Sequence, residues 1–195
     1  TREVRVFLRK LLSSKRVLDI NPVLRWLLVN LVILPIRSGK SAKAYRKIWL
    51  KDGSPLLVYN QKLKYALLEQ LAEEKIPVEL GMQCGEPSLK SAMAQLRKQR
   101  CDRIIVLPMY PQYASSTYGS AIEDLYKEIM NDWNIPNLQI IPPFFSDSHF
   151  IEAWVKVGLP YLENVPDHVL FSFHSLPFRH LKKSDYSGTW CKNDN

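Results

Sequence analysis

The sequence predicts an α/β fold built on a doubly wound parallel sheet. Three observations carry this. Short apolar runs recur at 78–82, 103–107, 138–141 and 168–173. A helical stretch separates each from the next, and strand-helix alternation is the signature of parallel strands joined by helical crossovers. The runs are mostly apolar, as in strands covered on both faces. Such crossovers are expected to be right-handed.

The elements follow in order. Residues 3–12 place Val4, Phe7, Leu8, Leu11 and Leu12 on one face of an amphipathic helix. An apolar run occupies 23–36. Ser41 is expected to cap a helix over 42–50. A longer helix is read over 58–74, ended at Lys75-Ile76-Pro77. Strand 78–82, helix 88–99, strand 103–107 and helix 121–130 come next. Strand 138–141, helix 148–162 and strand 168–173 complete the series. No internal repeat or low-complexity linker interrupts it.

Composition narrows the class. The 195 residues are 46% hydrophobic and 24% charged, as in an ordinary globular chain. Cys84, Cys101 and Cys191 lie far apart with no CxxC spacing. This argues against a zinc ribbon or a disulfide framework and for a reducing compartment. The net charge of +8 points to an acidic partner. Its cations are scattered, and no base-reading helix or RNA-binding aromatic signature accompanies them, so nucleic acid is not expected. An acidic small molecule and anionic lipid fit better. No signal peptide is read at Thr1. Run 23–36 has 14 residues and contains Arg25 and Asn30. A span needs roughly 20 apolar residues. The run is expected to rest on a membrane surface or to pack as a core helix.

The richest segment is 171–180, FSFHSLPFRH. His174 falls where strand 168–173 stops, and Pro177 forbids an immediate regular continuation. Ligands of open α/β sheets bind at the carboxyl ends of strands. A neutral imidazole there can ligate a metal or take a proton. An isolated histidine would read as structural, but its context decides otherwise. The string resembles the HSLP motif of ferrochelatases. Residues 110–119, YPQYASSTYG, are similar to that family's YPQ(Y/F)-x-x-ST-x-G segment. Residues 9–19, RKLLSSKRVLD, resemble its FLSDRRVVD stretch. LPIR at 34–37, AYRKIW at 44–49 and GSP at 53–55 resemble its porphyrin lip.

These four motifs stand in family order along nearly the whole chain, and the chain is identified as a ferrochelatase of the bacterial, protoporphyrin type. The resemblance implies two similar α/β halves, with 1–164 as the first, lip-bearing half and 165–195 as the start of the second. It implies an opening strand before Thr1 and a glutamate partner of the histidine after Asn195. It implies insertion of Fe²⁺ into protoporphyrin IX, the terminal step of haem biosynthesis, with this stretch alone inactive. His174 matches the family histidine, a metal ligand, a proton acceptor, or both. Arg37, Tyr45, Ser54 and Tyr110 match porphyrin contacts, with Tyr113, Ser116 and Thr117 beside Tyr110 and Gly119 easing the turn into the next helix. His149 is a second-rank site residue. Gln83-Cys84 departs from relatives that carry a basic or aromatic pair. Iron is substrate, no cofactor is required, and one cysteine in the second half does not support a [2Fe-2S] cluster. A cytoplasmic protein touching the inner membrane peripherally is expected. The alternatives are a chelatase for a more carboxylated tetrapyrrole and an inactive porphyrin- or haem-binding module.

Overall fold

The computed structural model describes residues 2–130, 132–163 and 166–189. Helix α1 (Arg2–Ser13) carries Glu3 in its first turn and Lys10 in its last, both favourable to the helix dipole. The chain then turns back. Asn21 Oδ1 accepts from the Val23 amide at 2.9 Å, and Pro22 opens the next helix, where its missing N–H costs nothing.

That helix is longer than the sequence reading allowed. Segments α2 (Pro22–Leu27), a π-wound stretch (Leu28–Ile33) and α3 (Leu34–Ile48) run on as one 27-residue unit. Ser41 is therefore an interior residue and not a cap. Pro35 would normally break such a helix. The Leu34 amide instead bonds back to the Val29 carbonyl, a widened turn that shifts the backbone register just before the proline. By length and composition alone, Pro22–Ile48 could cross a bilayer, which the 14-residue run did not suggest. Nor is the run a buried core helix. Val29 and Leu34 are fully buried, whereas Leu24 and Trp26 are 60% exposed and Leu31 and Ile36 are 61% exposed. Helix α1 packs on α3.

Helix α4 (Pro55–Gln70) starts at a Ser54 cap and ends short of the expected residue 74. Helix α5 (Leu89–Lys98) is capped by Ser88, whose Oγ accepts from the Ser91 amide. Strands β1 (Arg103–Val106) and β2 (Asn137–Ile140) pair in parallel, with Arg103 opposite Asn137 and Val106 opposite Ile140. Helix α6 (Ser120–Ile129) lies between them in sequence. Helices α7 (Ser148–Leu162) and α8 (Phe178–Ser184) follow.

The core is the cluster Met93, Ile104, Leu125 and Ile129, with Leu96, Cys101, Val106 and Leu138 against it. Helices α5 and α6 thus cover one face of the β1–β2 pair, while Ile105 on the other face is 60% exposed. The α/β class and the parallel pairing agree with expectation. The doubly wound sheet is not seen among the described residues, because only two of the four expected strands form. Segment 78–82 contributes a single bridge, Met82 to Ser88. Segment 168–173 has no ladder, and its Leu170, Phe171 and Phe173 are 89%, 78% and 81% exposed. An apolar strand of a parallel sheet needs a neighbour and a cover on each face, and this segment has neither among the described residues. The expected boundary between halves, 164/165, lies outside them, as does Cys191.

Gly81 fixes where the next loop goes. A Cβ there would stand 2.9 Å from Leu89 Cδ2 and 3.2 Å from Leu89 Cα. Only a bare backbone approaches α5 so closely, and this sets Gln83 and Cys84 beside α6.

Candidate functional site

Tyr110 sits just past the carboxyl end of β1, after buried Pro108. Its half-buried phenol donates to Gln83 Oε1 at 3.3 Å. Gln83 Nε2 donates in turn to Ser120 Oγ at 2.8 Å and Asp124 Oδ2 at 3.0 Å on α6. Burial pushes the Tyr110 phenol above its ordinary pKa, with a smaller push from Cys84. Burial also raises the Cys84 thiol, against an opposing pull from Lys10. A thiol so held is a packing group rather than a nucleophile.

Beside this chain of bonds lies an ionic one. Arg16, in the turn after α1, donates through Nε to Glu123 Oε2 and through Nη1 to Ser115 Oγ, the latter at 2.9 Å. Lys127 Nζ is 2.8 Å from Glu123 Oε1. These partners, Lys127 first and Arg16 next, hold the Glu123 carboxyl down at about 2. Gly119 lies directly beneath. A Cβ there would be 3.3 Å from Tyr113 Oη and 3.5 Å from Arg16 Nη1. Its φ of −61° is helical, so Gly119 serves close packing and not the turn that was expected of it. Both networks border a cavity of about 340 Å³ lined by Lys10, Arg25, Gln83, Cys84, Glu123 and Lys127, among others. A second cavity, of about 570 Å³, lies across Arg16 between Tyr113, Asp19 and His180.

The residues singled out from sequence are placed as follows. His174 is exposed, and its Nδ1 lies 2.6 Å from the Ser175 carbonyl oxygen. A carbonyl only accepts, so this bond puts the proton on Nδ1 and leaves the Nε2 lone pair for a metal or a proton. Arg37 is exposed on α3. Tyr45 is half-buried, edge-on to Phe7 with ring centroids 6.1 Å apart. Ser54 Oγ accepts from the Leu57 amide at 3.2 Å, a helix cap. Its hydroxyl proton remains available to a ligand. His149 opens α7 with its Nδ1 3.5 Å from Asp147, the residue that caps that helix. Among the described residues no hydrogen bond, ion pair or ring contact joins any two of His174, Arg37, Tyr45, Ser54 and Tyr110.

Sequence reasoning missed the partners that organise this region. Gln83 stood out only as a departure, and nothing local links it to Ser120 or Asp124. Arg16 and Glu123 are 107 positions apart. Their one sequence signal was that Arg16 lies in a family-like motif.

The ferrochelatase family model matches residues 1–192. The chain belongs to the ferrochelatase family. It is 40% identical to the ferrochelatase of Coxiella burnetii (strain Dugway 5J108-111) over 193 residues, which is 98% of this chain and 53% of that protein. It is 42% identical to the ferrochelatase of Legionella pneumophila (strain Paris) over 183 residues, 94% of this chain and 54% of that protein. The chain thus spans about half the length of the curated ferrochelatases it matches. The match runs through all the motifs at 9–19, 34–55, 110–119 and 174–177. Tyr110, Gln83 and the α6 residues that Gln83 bonds therefore lie within the ferrochelatase match.

Proposed function

We propose that the protein inserts Fe²⁺ into protoporphyrin IX, yielding protohaem and two protons. The observation that carries this is the family match across residues 1–192, with His174, Tyr110 and the lip residues inside it. No electron changes hands. The ring must be gripped and bent so that a pyrrole lone pair leaves its plane, which asks for a few kcal/mol of strain drawn from remote contacts. The pyrrole protons must leave, and a partly dehydrated iron must arrive.

On this reading His174 offers its Nε2 to iron or to a pyrrole proton. Arg37 grips a propionate through a permanently charged guanidinium. Tyr45, Ser54 and Tyr110 line the ring site. Iron is substrate, and no resident cofactor is invoked. The exposed apolar residues 24, 26, 31 and 36 support a membrane-facing lip on a cytoplasmic protein, helped by the excess positive charge.

The doubly wound sheet belongs to this reading as well. Segments 78–82 and 168–173 would flank β1 and β2, and their apolar residues would be covered by a further layer. Relatives of about twice this length have the chain to supply one.

The test is metal insertion by the natural full-length chain, followed as loss of porphyrin fluorescence under anaerobic conditions. Protoporphyrin should be metallated in preference to coproporphyrin and sirohydrochlorin. Tight porphyrin binding with no insertion would leave a binding module instead.

A further inference from the structure

We propose that Gln83 is a positioning residue that locks the Tyr110 phenol as a hydrogen-bond acceptor toward the porphyrin. The inference rests on the reading of Tyr110 as a porphyrin contact and adds a residue and a polarity to it.

Asp124 fixes the polarity of the chain of bonds. Its carboxylate, with Lys127 Nζ 3.5 Å from Oδ1, can only accept hydrogen bonds. The Gln83 side chain therefore turns its NH₂ toward Asp124 Oδ2, 3.0 Å away, and that same nitrogen donates to Ser120 Oγ at 2.8 Å. Both amide protons are used. The amide oxygen is left facing Tyr110, and it too can only accept. The phenol proton must point at Gln83, at 3.3 Å. What Tyr110 then presents on its other side is a lone pair, on a phenol that burial keeps protonated.

A bound porphyrin has few groups that match a lone pair. The chief ones are its pyrrole N–H bonds, which tilt out of plane when the ring is bent. A Tyr110 free to rotate would offer a donor or an acceptor indifferently, and half its orientations would oppose such a contact. Gln83 removes that choice. The order of causation runs from α6 through one amide to the carboxyl edge of β1, so α6 sets the polarity of a residue ten or more positions upstream.

The test uses the natural full-length chain and protoporphyrin, with binding read by fluorescence and turnover by metal insertion. Gln83→Leu should weaken porphyrin binding about fivefold or more, on the scale of one net hydrogen bond, and lower the melting temperature modestly because Ser120 and Asp124 lose their donor. Combining it with Tyr110→Phe should add nothing beyond Tyr110→Phe alone, because both remove the same contact. Gln83→Glu should be impaired, placing a carboxylate against Asp124. Gln83→Glu with Asp124→Asn keeps an acceptor at Tyr110 and places a donor at 124 in place of the opposing carboxylate, and should return binding to within about twofold of wild type. That exchange pair keeps size and total charge, so it decides the matter if Gln83→Leu does not fold. Additive losses for Gln83→Leu and Tyr110→Phe, or an exchange pair no better than Gln83→Glu, would overturn the assignment. Wild-type behaviour of Tyr110→Phe would overturn the Tyr110 contact itself, and the role of Gln83 with it.

Discussion

The Arg16 guanidinium bonds Glu123 through Nε and Ser115 through Nη1, and so ties the turn after α1 to the start of α6 and to the π-wound turn Ser115–Gly119 before it. Two stretches of chain 99 to 107 positions apart are closed by one side chain. The contact is partly shielded, with 33% of the Arg16 side chain and 22% of the Glu123 side chain exposed.

This closure should be visible in acid. Glu123 has its carboxyl lowered from 4.5 to about 2. A lowered pKa stabilises the fold above the unfolded value and loses that contribution as pH falls through the folded one. The contribution is complete above pH 4.5, declines below it and is gone near pH 2. Glu123→Gln should therefore destabilise the protein at neutral pH and flatten the decline of stability across that window. Urea unfolding at a series of pH values measures it. Parallel curves for variant and wild type would contradict the coupling.

Ser54 joins an observed role to the porphyrin contact proposed for it, and substitution can separate the two. Its Oγ caps α4 by accepting from the Leu57 amide. Ser54→Ala should cost about 1 kcal/mol of stability as well as porphyrin affinity. Ser54→Asp keeps a capping oxygen and removes the donor, so stability should recover while affinity does not. Thermal melting and porphyrin titration read the two separately.

Much of the architecture was legible where local rules act. Helix α7 matches its expected span of 148–162 because Asp147 caps it and its apolar spacing is regular. The β1 and β2 strands lie within a residue of expectation because both are short, rich in Ile, Val and Leu, and bracketed by turn residues. What failed depended on something distant. Pro35 stands inside the long helix, and only a π-wound turn upstream lets the helix continue. Segment 168–173 has the composition of a strand, but strandhood requires a neighbour that no local pattern specifies. The site was legible as motifs, whereas Gln83 and Glu123 bond partners 27 to 107 positions away.

Arg37 is exposed on α3, free to reach a carboxylate. Arg37→Ala should raise the porphyrin KM about tenfold, on the scale of one charge-assisted hydrogen bond. A propionate grip is shared by ground and transition states, so kcat should stay nearly constant. Arg37→Lys should rescue only in part, because an ammonium lacks the two-pronged contact. A normal KM with a strongly reduced kcat would contradict the assignment.

Leu24 and Leu31 are 60% and 61% exposed on the long helix. Burying a leucine is worth about 1.5–3 kcal/mol. Leu24→Ser with Leu31→Ser should therefore weaken association with anionic vesicles about tenfold or more, with folding intact. Cosedimentation at low and high salt checks it. Unchanged partitioning would rule out the lip.

The proposed metal insertion depends on the His174 imidazole, and its most direct test is insertion of Fe²⁺ into protoporphyrin by His174→Ala in the natural full-length chain. Loss of a positioned base alone is typically worth about 10²–10⁴ in rate. The variant should bind porphyrin and melt like wild type while turnover falls by at least a hundredfold on that scale. A well-folded variant retaining more than about a tenth of normal turnover would contradict the account, since that loss falls short of the low end of the range.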